Sequence, residues 1–315
     1  MQRFLKRSFL FAAFPAAIAV AWTTFVVVMD RRSYVGALPL AEGETTVVCG
    51  DSQTKDALDP ALIPGLRNFS TAATTCDQDA MRLADVLAEN PGRVRRVLLD
   101  VSPLKIGYDI SRPVSELNAA RVHALIHFYH FRENRRSLGS VAALWRDVVF
   151  TRKFNEFRKS ILRGRCWQSS LVGGFAPAKC AGFLDRKTVK LARKDLEKKA
   201  ARVNARPPVT SELPLFTLLK EQVAKVRAVG AEPVITTMPL SRPLREAIDP
   251  VRLAAFTQEV RALARRLGVT YLDYLELDLP LEFWHDGNHL NRAGAGVFSE
   301  RFARDLQCAE PSSSR

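Results

Sequence analysis

Three side chains at opposite ends of this chain have the types and spacing for acyl-transfer chemistry. Ser52 lies in the stretch TTVVCGDSQTKDAL from Thr45 to Leu58, and Asp286 and His289 lie in FWHDGNHLNRAG from Phe283 to Gly294. A serine hydroxyl is a weak nucleophile until an adjacent base takes its proton. An imidazole base in turn needs a carboxylate that fixes its tautomer and stabilises the imidazolium. An Asp-x-x-His loop supplies base and carboxylate from one turn.

The elements on either side suit that task. Val47, Val48 and Cys49 form a short apolar run ending in Gly50-Asp51-Ser52, and a polar segment that can begin a helix follows. A buried parallel strand that turns into a helix presents its turn residues at the carboxyl edge of a sheet, where open α/β folds place ligands. Gly50 permits a sharp turn, and Ser52 falls near a helix N-terminus, where N–H groups favour developing negative charge. Gly-Asp-Ser alone is also ordinary turn and cap chemistry. At the far end, VFSERFARDLQ reads as an amphipathic helix with Val297, Phe298, Phe302 and Leu306 on one face.

GDS after the first strand, paired with DxxH before the last helix, resembles the SGNH (GDSL-type) hydrolase superfamily. The likeness covers roughly Thr45 to Val101 and Leu213 to Cys308. It implies Ser52 as nucleophile, His289 as base and Asp286 as its orienting carboxylate. It also implies an oxyanion or substrate site at Gly50, Asp51 and the Ser52 N–H, joined by a backbone N–H from the loop Ser70 to Thr75. Ser70, Ala72 and Thr74 are the candidates there. Many members of that superfamily carry a Gly-x-Asn-Asp block after the third strand, whose Asn donates to the oxyanion. This chain has Val-Ser-Pro-Leu from Val101 to Leu104, with Ser102 as the available substitute. That departure resembles the membrane-anchored cell-envelope branches, those of alginate O-acetylation and teichoic-acid D-alanylation.

Strand-like and helix-like runs alternate along residues 44–104 and 211–308, so the expected fold is α/β, a parallel sheet with helices on both faces. A flavodoxin-like strand order 2-1-3-4-5 would bring Ser52 and the Asp286–His289 loop to one edge. Residues 105–210 are too long for a connection and read as an inserted, mainly helical subdomain. Residues 30–43 read as a linker and 309–315 as a disordered tail.

The formal charge of +14 is concentrated in that insertion. Arg121 to Arg206 holds 21 Lys/Arg against 6 Asp/Glu. Such a surface has three readings: a solvated face, a patch for anionic lipid headgroups beside the anchor, or a groove for an anionic polysaccharide. His123, His127 and His130 share one predicted helix face, but no Glu follows the first as zincins require. Cys-x-x-Cys, Gly-x-Gly-x-x-Gly and P-loop patterns are all missing, so no metal, cofactor or nucleic-acid partner is expected. His285 neighbours the Asp-x-x-His motif at the wrong spacing and reads as a loop residue.

Residues 9–29, FLFAAFPAAIAVAWTTFVVVM, are uncharged, apolar and long enough for one transmembrane helix. Arg3, Lys6 and Arg7 precede the run, which makes 1–8 a cytoplasmic N-terminus and 9–29 a signal anchor. A cleaved signal peptide is the alternative, and either places the domain outside the membrane, in a periplasm if the cell has one. Export makes a Cys166–Cys180 disulfide the expected pairing, whereas Cys49 reads as a buried small hydrophobe.

Together these features point to a membrane-anchored, exported serine esterase or O-acyltransferase acting on an acylated glycan. The competing class is a non-catalytic protein of the same fold that uses the basic insertion to hold an anionic glycan or assemble a complex.

Overall fold

The structure is a computed structural model and describes residues 17–25, 28–29, 32, 34–72, 74–106, 174–177 and 189–309. Residues 38–111 and 173–315 form one compact unit, and 1–37 with 112–172 form another. The first of these holds the sheet.

Five strands make that sheet: β1 (Thr46–Cys49), β2 (Leu66–Asn68), β3 (Arg96–Asp100), β4 (Glu232–Thr237) and β5 (Thr270–Asp273). All pairings are parallel and the order is β2-β1-β3-β4-β5, as the alternating pattern predicts. Val48 sits between Asn68 and Leu98 in register, which centres β1 in the site-bearing half. Parallel strands buried on both faces are apolar throughout, and Val47, Val48, Val97, Leu98, Val234 and Ile235 have no exposed surface.

Seven helices are used below: α1 (Ser52–Ala57), α2 (Cys76–Glu89), α3 (Val189–Asn204), α4 (Pro214–Ala228), α5 (Arg242–Ala247), α6 (Pro250–Leu267) and α7 (Arg292–Cys308). Helices α2, α4 and α6 pack on one another and against β1, β4 and β5, while α1 packs with α7. Between the sheet and α7 lies a core of Val48, Leu98, Val234, Trp284, Phe298 and Phe302. Burying each large side chain there contributes about 1.5–3 kcal/mol. Val297 departs from the sequence reading, because at 46% exposure it lies beside the buried Phe298–Phe302–Leu306 stripe rather than in it.

Two local features bear on the site. The helix after the Gly-Asp-Ser turn begins at Ser52 itself and ends at Ala57, and residues 60–65 are turns and a bend. Leu66, Arg67 and Asn68 then form β2. Helix α3, inside the 105–210 segment, belongs to the unit that holds the sheet.

Residues 17–25 and 28–29 of the 9–29 run are helical. Among the described residues no helix is long and apolar enough to cross a membrane, and the rest of that run lies outside them. The predicted Cys166–Cys180 pair and the His123, His127 and His130 face lie outside the described residues as well.

Candidate active site

The Gly50–Ser52 turn is built from inside the fold. Gly50 leaves β1 between Thr54 and Asp100. A Cβ there would lie 2.6 Å from Thr54 Oγ1 and 3.1 Å from Asp100 Oδ2, so close approach rather than backbone angle requires glycine. Its N–H donates to Ser70 Oγ at 3.0 Å and its carbonyl accepts from Thr71 N–H at 2.9 Å, which fastens β1's exit to the loop after β2. Asp51 is the N-cap of α1, where its Oδ1 accepts from Gln53 N–H at 2.8 Å. This cap leaves Ser52 half-buried at the first helical position.

Beneath the turn lies a buried ionic cluster that the sequence reading missed. Lys105 Nζ lies 2.6 Å from Asp100, 3.0 Å from Asp79 and 3.8 Å from Asp51. Burial works against the Lys105 charge, but Asp100, Asp51 and Asp79 together hold its ammonium well above the ordinary 10.5. Burial pushes the Asp51 carboxyl up to about 6, offset in part by Lys105 and reinforced by Asp100 and Asp79. Asp51 therefore faces the interior and supports the turn.

His289 arrives on a pinched loop. Trp284, fully buried, bridges to Leu290, and its indole N–H donates to the Leu279 carbonyl at 3.2 Å. Asn291 caps α7 by accepting from Gly294 N–H at 3.0 Å, while its own N–H reaches the Phe283 carbonyl at 2.9 Å. A Cβ on Gly294 would sit 2.2 Å from that carbonyl, so the loop closes onto α7 only with glycine there. Between the pinched ends the loop holds Asp286 and His289, while His285 is exposed and donates its N–H to the His289 carbonyl at 2.8 Å.

The two distant segments meet. His289 Nε2 lies 2.7 Å from Ser52 Oγ, and His289 Nδ1 lies 2.9 and 2.8 Å from the two Asp286 oxygens. Asp286 Oδ1 also accepts from the N–H groups of Asn288 and His289, at 2.9 and 3.0 Å. Its Oδ2 accepts from Lys199 Nζ on α3 at 3.0 Å. Burial alone would push the Asp286 carboxyl up. The His289 hydrogen bond and charge, Lys199 and the Asn288 N–H outweigh that and hold it well below the usual carboxylate range. Nδ1 against a carboxylate and Nε2 against a hydroxyl is the arrangement for taking a proton from that hydroxyl.

The predicted oxyanion loop divides. Ser70 has no exposed surface, its N–H donates to Asn68 Oδ1 at 2.9 Å, and its hydroxyl accepts from Gly50. Thr74 is buried, with its hydroxyl donating to the Gly50 and Thr71 carbonyls at 3.3 and 3.1 Å. Ala72 is exposed beside them. Ser70 and Thr74 therefore brace the loop through their side chains, and Ala72 is the member of the predicted set that faces outward.

Ser102, the substitute for the missing Asn, has its hydroxyl proton engaged, donating to Gln53 Oε1 at 2.8 Å while accepting from Leu104 N–H at 3.2 Å. Gln53, 2% exposed, then points its Nε2 at the Asn288 carbonyl 3.5 Å away. Gln53 thus links the end of β3 to the histidine loop, a role without a sequence signal, because a Gln in a first helical turn is unremarkable. Cys49 is buried, and burial pushes its thiol up to about 12, so it offers no thiolate near neutral pH. Among the described residues no cluster of His, Cys, Asp or Glu could hold a metal ion.

No family model matches the chain, and no curated protein matches it. Similar solved structures include a Bacteroides fragilis chain provisionally assigned as an acylhydrolase. It is 11% identical, with a TM-score of 0.41, over 87% of this chain and 92% of that one. An alpha/beta hydrolase from the metagenome of Lake Arreo, Spain, is 16% identical, with a TM-score of 0.38, over 88% of this chain and all of that one. Similarity that distant leaves the reading of the site to this chain's own residues.

Proposed function

We propose that this protein is a serine esterase or O-acyltransferase of the SGNH type, acting through an acyl-Ser52 intermediate. The observation that carries the proposal is the 2.7 Å approach of His289 Nε2 to Ser52 Oγ, with Asp286 against the opposite ring nitrogen.

In the first half-reaction Ser52 Oγ attacks the ester carbonyl while its proton passes to His289 Nε2. The Asp286 carboxylate stabilises the imidazolium, and the Ser52 N–H, with the Ala72 segment, faces the developing oxyanion. Collapse breaks the bond to the leaving alcohol, which takes the proton from His289 Nε2. In the second half-reaction a water or a sugar hydroxyl gives its proton to His289 and attacks the acyl-serine. Ser52 leaves with that proton, and an acid or a new ester departs.

The substrate class follows from the rest of the sequence. An apolar anchor at 9–29 would hold the domain at the outer face of a membrane, and the basic 121–206 segment would favour an anionic surface or polymer. Acyl esters, chiefly acetyl, of an envelope or secreted polysaccharide fit both. The test is to incubate the purified full chain with an O-acetylated anionic polysaccharide and, separately, with an acetyl donor and the deacetylated polymer. Acetate release marks an esterase and acetylation of the polymer a transferase. Polymer binding with neither reaction would favour the non-catalytic reading.

A further inference from the structure

We propose that Lys199 is a positioning residue of this site: it locks the Asp286 carboxylate in place against His289. The inference rests on the catalytic reading of Ser52, His289 and Asp286, and it adds a fourth residue from an element outside both motifs.

Lys199 lies on α3, remote in sequence from the Gly-Asp-Ser turn and the Asp-x-x-His loop. Its ammonium lies 3.0 Å from Asp286 Oδ2 and 2.7 Å from Asp195 Oδ2, one helical turn earlier on α3. Its side chain is 19% exposed, so solvent screens the contact only in part. Leu196, Ala200 and Val203 of the same helix are buried, which holds α3 against the unit and aims Lys199 at the loop.

This contact completes a set of donors around one carboxylate. Oδ1 takes two backbone N–H groups of its own loop, Oδ2 takes Lys199, and both oxygens face His289 Nδ1. A carboxylate held on every side cannot rotate away from the imidazole, so Lys199 preorganises the pair. Among the described residues, Asp56 on α1, paired with Lys55 at 3.3 Å, also acts on His289, and Asp195 lies on the far side of Lys199.

The experiment follows the His289 Nδ1–H resonance by NMR at fixed pH in the full chain, labelled at histidine and assigned with His289→Gln. It compares the native protein with Lys199→Met and Lys199→Arg, and Lys199→Gln serves if the Met variant does not fold. The carboxylate-bound Nδ1–H signal is expected to broaden or vanish in Lys199→Met and to be kept in Lys199→Arg. Turnover of a chromogenic acetate ester should fall several-fold in kcat, with KM holding, in Lys199→Met and recover in Lys199→Arg. An unchanged resonance in the Met and Gln variants, with a native-like fold, would overturn the proposal. A lost resonance in a protein that turns over no ester would support the positioning role of Lys199 and count against the hydrolase reading instead.

Discussion

Ser52 Oγ and His289 Nε2 lie 2.7 Å apart across 237 residues of chain. The meeting is set by β1 and by α7, which share the Val48–Phe298–Phe302 core and place their adjoining loops at one sheet edge. Two further links fasten the sides. Ser299 Oγ on α7 donates to the Ala57 carbonyl at 2.9 Å, and Asn68 on β2 donates to the Thr54 and Leu58 carbonyls at 3.2 and 3.0 Å.

Asp286→Asn keeps the shape of the loop but removes an acceptor on which the Nδ1 proton depends. The amide nitrogen in that place would favour the tautomer with its proton on Nε2, where it cannot accept from Ser52. Ester turnover is expected to fall about 10³- to 10⁴-fold with little change in KM. Steady-state kinetics on a chromogenic acetate ester, alongside a thermal melt, checks this. A loss of less than tenfold would remove Asp286 from the mechanism.

Lys105→Met tests the ionic cluster under the nucleophile. The substitution would leave Asp79 and Asp100, with Asp51 near them, buried without their shared cation. Removing one partner from a buried pair costs about 3–5 kcal/mol. Denaturant unfolding should show a loss of that order, with the Gly50–Ser52 turn loosened and turnover reduced in the protein that remains folded. Stability within about 0.5 kcal/mol of the native chain, as for an ordinary surface substitution, would mean that the cluster is not ionised as drawn.

The raised Asp51 carboxyl gives stability a definite pH dependence. Between its ordinary 3.8 and about 6, the folded chain keeps a proton that the unfolded chain has released. Raising the pH through that window therefore lowers the Asp51 contribution to stability. Asp286 acts in the opposite sense, since its depressed folded value gives stability that is present above 3.8 and lost as the pH falls through the folded value. Asp51→Asn keeps a capping side chain and removes the first effect. Melting temperatures from pH 4 to 7 should show the native protein losing ground to Asp51→Asn as the pH rises. Parallel curves would contradict the assignment.

The parallel α/β sheet was legible because apolar strands and amphipathic helices alternate along the chain. The meeting of Ser52, His289 and Asp286 was legible because these residues flank the first strand and the last helix in fixed patterns. Strand β2 was not, since three residues reading Leu-Arg-Asn carry no alternation and owe their pairing to β1. Lys105 and Lys199 were hidden for a different reason. In a chain this basic, a lysine facing carboxylates from other elements looks like any solvated one until those elements are packed together. The inward turn of Asp51, Ser70 and Thr74 was equally invisible, because the same residue types serve for capping and for binding.

The most direct measurement is mass mapping of the full chain after treatment with a fluorophosphonate, which traps a serine activated by a neighbouring base. A single adduct is predicted on the peptide carrying Ser52, lost in Ser52→Ala and strongly reduced in His289→Ala. A native protein that takes up no adduct, or an adduct that persists in Ser52→Ala, would contradict the account.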